Sequence, residues 1–136
     1  MPQFPSVDWL NAARESVNDD PDYRALGTSD YSVGIKSGDD VFRVDFEAFE
    51  CSGVREIPET DLRDTDFYLD MSPSQWRAYL ESLDGDVPQT LSDLDLTIEG
   101  GIVRGGDERR KVAFPQYHLS LERFFRQANQ IETSFG

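Results

Sequence analysis

The chain has 136 residues, enough for a single domain (1–136) around one core. Hydrophobic residues are 38% and aromatics 12%, which favours a packed globule over a disordered chain. The net charge of -14 repels phosphate backbones and anionic membrane surfaces, which argues against nucleic acid as a partner.

The one cysteine, Cys51, permits no internal disulfide, so a reducing cytoplasm is the expected compartment. Met1 to Ser6 carry neither a positive region nor an apolar run and do not read as a signal peptide. No stretch approaches the roughly 20 apolar residues of a spanning helix, so no membrane insertion is expected.

Ser6 suits the cap of a first helix, with Trp9, Leu10, Ala13 and Val17 on its apolar side. Asp20-Pro21 then opens a short second helix through Leu26, stopped by Gly27. Tyr31 to Lys36 alternates as a strand, and Ser37-Gly38-Asp39-Asp40 is a turn. Val41 to Ala48 alternates most cleanly: Phe42, Val44, Phe46 and Ala48 point one way, Arg43, Asp45 and Glu47 the other. A third strand is predicted over Phe49 to Ile57, broken by Gly53, and Pro58 to Thr65 reads as an acidic loop.

Phe67-Tyr68-Leu69-Asp70-Met71 is a half-buried strand that runs straight into a helix. Ser72 is its N-cap, Pro73 its first residue, and Gln75 completes a capping box. Trp76, Tyr79, Leu80 and Leu83 form one apolar stripe, and Gly85 ends the helix. Beyond it, Leu91, Leu94 and Ile98 fit a helix, while Leu94, Leu96 and Ile98 fit a strand. Ile102-Val103 begins a short strand between glycine pairs, and a last helix is predicted from about Tyr117 to Gln130, with Leu119, Leu121, Phe124 and Phe125. This order predicts an α+β domain: a mainly antiparallel five-stranded sheet with helices on one face. A crossover after Met71 would bring in the last strand in parallel.

Three stretches carry a resemblance: Phe4-Pro5-Ser6-Val7-Asp8-Trp9-Leu10 with Asn18 and Tyr23; Leu69 to Gly85; and Gly101-Ile102-Val103-Arg104-Gly105-Gly106-Asp107. Over about residues 4 to 110 the chain resembles the sterol-carrier-protein family of small lipid-binding domains, with Gln75 where the family's helix usually has an acid. The resemblance implies that family's fold and an apolar cavity between sheet and helices. It does not imply a sterol as the ligand.

The motifs of other chemistries fail on inspection. His118 is the only histidine, and Asp84-Gly85-Asp86 begins with EF-hand spacing but continues with Pro88 and Gln89, so no metal is expected. Gly101 and Gly106 have the outer spacing of a phosphate loop, yet Asp107 and Glu108 follow and would repel phosphate. No nucleophile elbow occurs, and Cys51 has no neighbouring base. Six basic and three acidic residues make 104–126 the one positive region; it suits an acidic head group, or neutralisation of the acidic body.

Three functions follow as alternatives. The first is a non-enzymatic carrier for an apolar small molecule or lipid, fatty-acyl, steroid- or terpenoid-like, without cofactor. Its site would be Phe42, Val44, Phe46, Phe67 and Leu69 as floor, Trp76, Tyr79 and Leu80 as wall, and Phe124 and Phe125 as lid. The second is an enzyme or accessory subunit using Asp45, Tyr117 or His118 as acid and base on a hydrophobic substrate. The third is a partner-binding or homodimerisation domain whose aromatics only fill core. The acidic composition itself predicts that the melting temperature rises as NaCl is raised from low to about physiological strength, because screening relieves self-repulsion. A flat or falling trend in a thermal melt would mean that the charges are already paired locally.

Overall fold

A computed structural model describes residues 3–25, 30–48, 50–83, 89–105, 107–127, 131 and 133–135, with the backbone alone over 107–116. The elements are β1 (Gln3–Phe4), α1 (Val7–Asn18), α2 (Pro21–Arg24), β2 (Tyr31–Ser37), β3 (Asp40–Glu47) and β4 (Glu50–Glu56). A 3-10 helix (Glu59–Asp64), β5 (Phe67–Met71), α3 (Pro73–Ser82), α4 (Leu91–Thr97), β6 (Val103–Arg104), α5 (Asp107–Arg126) and β7 (Ser134–Phe135) follow. The main sheet has the order β4-β3-β2-β5-β6. Its class is α+β, with three antiparallel strand pairs and one parallel pair, β2 with β5.

The parallel pair is not where the sequence suggests. The last strand, β6, runs antiparallel to β5, and β5 is the strand that enters parallel, beside β2. The crossover therefore precedes Phe67. Pairing β2, β3 and β4 in succession leaves β2 with a free edge, and the chain leaving β4 crosses the sheet to reach it. The segment read as an acidic loop is the 3-10 helix that makes this crossing. Its Leu62 packs with Val41, Ile57 and Tyr68 on the face opposite Phe42, so the helices on the other face are not the sheet's only cover. A Cβ built on Gly34 would lie 2.3 Å from Leu62 Cδ2 and 2.6 Å from Tyr68 Cβ, so β2 needs glycine there.

The principal core lies on the other face, under α1, α3, α4 and α5. Ser6 caps α1 by accepting from Trp9 N–H, and Trp9, Leu10, Ala13 and Val17 are buried along it. At the end of α1 the Asn18 amide bonds both backbone groups of Cys51, accepting from its N–H at 2.7 Å and donating to its carbonyl at 3.1 Å. Strand β4 is not broken at Gly53. Register shifts between Asp45 and Phe46, leaving Ser52 unpaired, its hydroxyl on the Asp45 carbonyl at 3.3 Å.

Residues 91–97 are helical: Leu91 and Leu94 are buried while Leu96 faces solvent. Asp95 Oδ1 accepts from the N–H groups of Ile102 and Val103, 2.8 and 3.0 Å away, and so holds the glycine turn into β6. Helix α5 begins at Asp107, ten residues before the predicted start. The expected stops at Gly27 and Gly85, the start of the third strand at Phe49, and the reach of the last helix to Gln130 lie outside the described residues. Strands β1 and β7 pair in parallel, Phe4 beside Phe135, and so join the two ends of the chain.

The N-terminus of α3 is capped as expected. Ser72 Oγ accepts from Gln75 N–H at 3.2 Å, and Gln75 Oε1 accepts from Ser72 N–H at 2.9 Å. Ser72→Ala is expected to cost about 1 kcal/mol in a urea titration, since a first-turn N–H loses its acceptor. An unmoved midpoint would show that the box contributes nothing to stability.

Candidate functional site

Alternation on three strands sets the floor. Tyr31, Val33 and Ile35 on β2, Phe42, Val44 and Phe46 on β3, and Phe67, Leu69 and Met71 on β5 are all buried. The α3 stripe supplies Trp76, Tyr79 and Leu80 from above, and α5 supplies Phe124 and Phe125. All ten residues expected around a ligand thus belong to one buried cluster. Phe124 and Phe125, read as a lid, are fully enclosed: Phe124 meets the Phe46 ring at 5.6 Å and Phe125 the Trp76 ring at 5.4 Å. The Phe4 ring links the two tryptophans, its centroid 4.8 Å from that of Trp9 and 5.4 Å from that of Trp76. Both indoles are satisfied, Trp9 Nε1 donating to Thr133 Oγ1 and Trp76 Nε1 to the Lys36 carbonyl, each at 2.8 Å.

Two tyrosines in this cluster are not satisfied. The hydroxyls of Tyr23 and Tyr79 are buried and make no hydrogen bond among the described residues. Rings connect them in an unbroken row, Tyr23 to Phe46 at 6.4 Å, Phe46 to Phe124 at 5.6 Å, Phe124 to Phe125 at 5.4 Å and Phe125 to Tyr79 at 5.9 Å. Burial pushes both phenols well above the ordinary tyrosine value, aided by Cys51 and Glu50 at Tyr23 and by the Glu122 carboxylate at Tyr79. Each therefore stays a neutral hydroxyl at physiological pH. The neighbouring Tyr31 shows the contrast: its ring stacks on Tyr117 at 4.3 Å and its hydroxyl pairs with Ser120 Oγ at 2.8 Å. Tyr31 and Tyr23 were not among the expected site residues. Tyr31 was legible, since it alternates with Val33 and Ile35; Tyr23, on a four-residue helix, gives no periodic signal.

The candidate acid/base residues are not brought together. Asp45 lies on the outer face of β3, where it accepts from Arg43 Nε at 2.8 Å. Tyr117 stacks on the inner face. His118 Nδ1 lies 3.6 Å from Glu122 Oε2 and 3.5 Å from Ser92 Oγ, between α4 and α5. Glu122 is itself committed, accepting from Leu91 N–H at 2.6 Å. A cleft of about 680 Å³ opens beside Asp45, lined also by Asp30, Ser32, Arg43 and Asp66. Two more of its carboxylates are engaged internally: Asp30 accepts from Ala48 N–H at 3.0 Å and Asp66 from Ser32 N–H at 2.8 Å.

Cys51 is buried, and burial pushes its thiol up to about 12, away from nucleophilic use. Among the described residues no three His, Cys, Asp or Glu side chains are placed to hold a metal, and no helix is long and apolar enough to cross a membrane. Asp84-Gly85-Asp86 and Gly106 lie outside those residues. At Gly101 the Asp95 carboxylate already occupies the N–H groups that a phosphate would need.

Two arginines of the positive region, Arg104 and Arg123, are engaged within the fold. Arg104 lies 3.9 Å from Asp70 and donates to the Gly100 carbonyl at 2.6 Å. Arg123 grips Asp20 with Nε at 2.5 Å and Nη2 at 3.3 Å, and reaches Asp22 at 3.2 Å. Gln127 adds a bond to Asp20 at 3.0 Å, and Asp20 caps α2 by accepting from Asp22 N–H at 3.0 Å. This clasp ties the α1–α2 corner to the end of α5.

The Arg123 hydrogen bond holds the Asp20 carboxyl below its ordinary value, against the opposing effect of burial. A depressed folded value means that the stabilisation is fully present above the unfolded carboxylate value of about 3.9 and is lost as pH falls through the lower folded value. Asp20→Asn is therefore expected to lower the melting temperature at neutral pH and to narrow its gap to the parent under strong acid. Parallel melting curves at all pH values would rule the clasp out as a source of acid sensitivity. Compared with known proteins, the chain matches no protein-family model, no curated protein and no solved structure.

Proposed function

We propose that this protein is a non-enzymatic carrier for an apolar small molecule, fatty-acyl, steroid- or terpenoid-like, taken up along the aromatic row between the sheet and the helices. The observation that supports the reading is the pair of unpartnered hydroxyls, Tyr23 and Tyr79, joined by that row. A buried tyrosine ordinarily finds a partner, and leaving the group unbonded costs about 1–3 kcal/mol. A guest carrying a hydrogen-bonding group would recover that cost, while its apolar body replaces contacts the rings now make with one another. Apolar walls with a few polar groups are the usual character of small-molecule sites. The rings already touch, so the guest must displace some of them.

Native mass spectrometry of the purified protein is expected to show a lipid-sized mass travelling with the chain. In a Trp9→Phe background, a fatty acid or steroid should shift Trp76 emission and saturate at about one ligand per chain. Tyr79→Phe separates the readings by sign: it should raise the unfolding free energy by about 1 kcal/mol, through loss of an unbonded hydroxyl, and weaken ligand binding. No retained mass and no fluorescence response across apolar ligands would leave the aromatics as core filling in a structural or partner-binding domain. Unchanged affinity in the more stable variant would show that the hydroxyl is not a ligand contact.

A further inference from the structure

A second cleft, of about 400 Å³, lies where the first turns of α3, the β2–β3 turn and the paired chain ends meet. Its lining combines three chemistries. One end is electropositive. Ser74 is the second residue of α3, so its N–H has no acceptor within the helix, and it stands at the positive end of the helix dipole. Arg77 lines the same end. Its Nε donates to Glu81 at 2.6 Å, its two Nη groups make no hydrogen bond among the described residues, and its guanidinium carbon is steadied 5.1 Å above the Phe135 ring. The opposite charge comes from Asp40, exposed at the start of β3. Phe4 and Phe135, paired between β1 and β7, supply the apolar wall.

An independent observation distinguishes the cleft from plain surface. Ser37 lines it, is 2% exposed, and its hydroxyl has no hydrogen-bond partner among the described residues. The nearby Ser72 hydroxyl accepts from Gln75 N–H and lies 3.1 Å from the Ser74 hydroxyl, whereas the Ser37 hydroxyl has no partner among the described residues and the Ser74 N–H has none within its helix. A plain anion would be opposed by Asp40, Glu81 and the chain's net charge of -14; a plain cation would meet Arg77 and the helix dipole. A molecule with both charges meets neither objection.

We propose that this cleft binds a small zwitterion with an apolar side chain, of the class of free hydrophobic α-amino acids. The carboxylate is held by Ser74 N–H, Arg77 and the Ser37 hydroxyl, the ammonium by Asp40, and the side chain against Phe4 and Phe135. The site is separate from the aromatic row, and its test does not depend on the carrier reading.

The full-length, isotope-labelled chain is titrated with L-phenylalanine, N-acetyl-L-phenylalanine and L-phenylalaninamide, and amide shifts are followed by NMR. L-Phenylalanine should produce saturable shifts at Gly38, Ser74, Arg77 and Phe135, and each compound lacking one charge should bind at least about ten-fold more weakly. Arg77→Met and Asp40→Asn should each weaken L-phenylalanine by about ten-fold with otherwise parental spectra. Ser37→Ala should weaken binding with no loss of stability, since it deletes an unbonded group. No saturable shift in the cleft, or equal affinity of the three compounds, would overturn the proposal. Shifts confined to Tyr23, Phe46 and Tyr79 would overturn it too, by placing the amino acid in the core.

Discussion

The close approach of Leu62 to Gly34 is the contact on which the sheet's topology depends. A meander of β2, β3 and β4 is complete in itself, and β5 joins it only because the chain crosses the outer face to the free edge of β2. The crossing is pinned by Leu62 in the space left by the absent side chain of Gly34, with Val41, Ile57 and Tyr68 around it. Any larger residue at Gly34 meets a backbone-anchored Cβ at Tyr68 as well as a movable Leu62 methyl, so only part of the clash can be relieved by repacking. Strand β5 in turn carries Phe67, Leu69 and Met71 into the main core and hands the chain to α3. A small satellite cluster on one face thus fixes which strands line the large one.

The main core is unusual in its rings more than in its aliphatics. Tilted, edge-to-face and stacked contacts run from Phe4 through Trp76, Phe125 and Phe124 to Phe46 and Tyr31. Such contacts add to simple area burial, by about 0.5–1.5 kcal/mol per pair. They also make the interior polarisable and rich in flat surfaces that can slide against a flat or extended guest. The hydroxyls of Tyr23 and Tyr79 work against this stabilisation, and a core selected for stability alone would carry phenylalanine at both positions.

Local rules written in a few adjacent residues were legible in the sequence. The β3 alternation from Phe42 to Glu47, the Ser72 capping box and the α3 stripe appear in the structure as read, because each is a period or a spacing; Ala48, expected on the inner face, instead follows the strand, exposed and with a φ of 53°. Burial of the ten residues expected around a ligand was legible in the same way. Long-range pairings carried no such signal. Nothing near Ile102 distinguishes an antiparallel from a parallel last strand, and nothing near Leu62 announces that it reaches Gly34. The early start of α5 was hidden by Pro115 and by the charged run from Asp107 to Lys111, both of which read as a boundary on local rules. The orphan hydroxyls were out of reach for the same reason as the topology, since a missing partner is a property of every surrounding element at once.

Asn18 has a role beyond ending α1. Its amide presents one donor and one acceptor to Cys51, as a neighbouring strand would, on the side of β4 that faces away from β3. An open sheet edge invites another chain to extend it. Here the first rung of that ladder is already taken by a side chain, and the Ser52 bulge and the charged pair Arg55 and Glu56 follow along the same strand. Two copies meeting edge to edge at β4 would have to expel the Asn18 amide before their backbones could join.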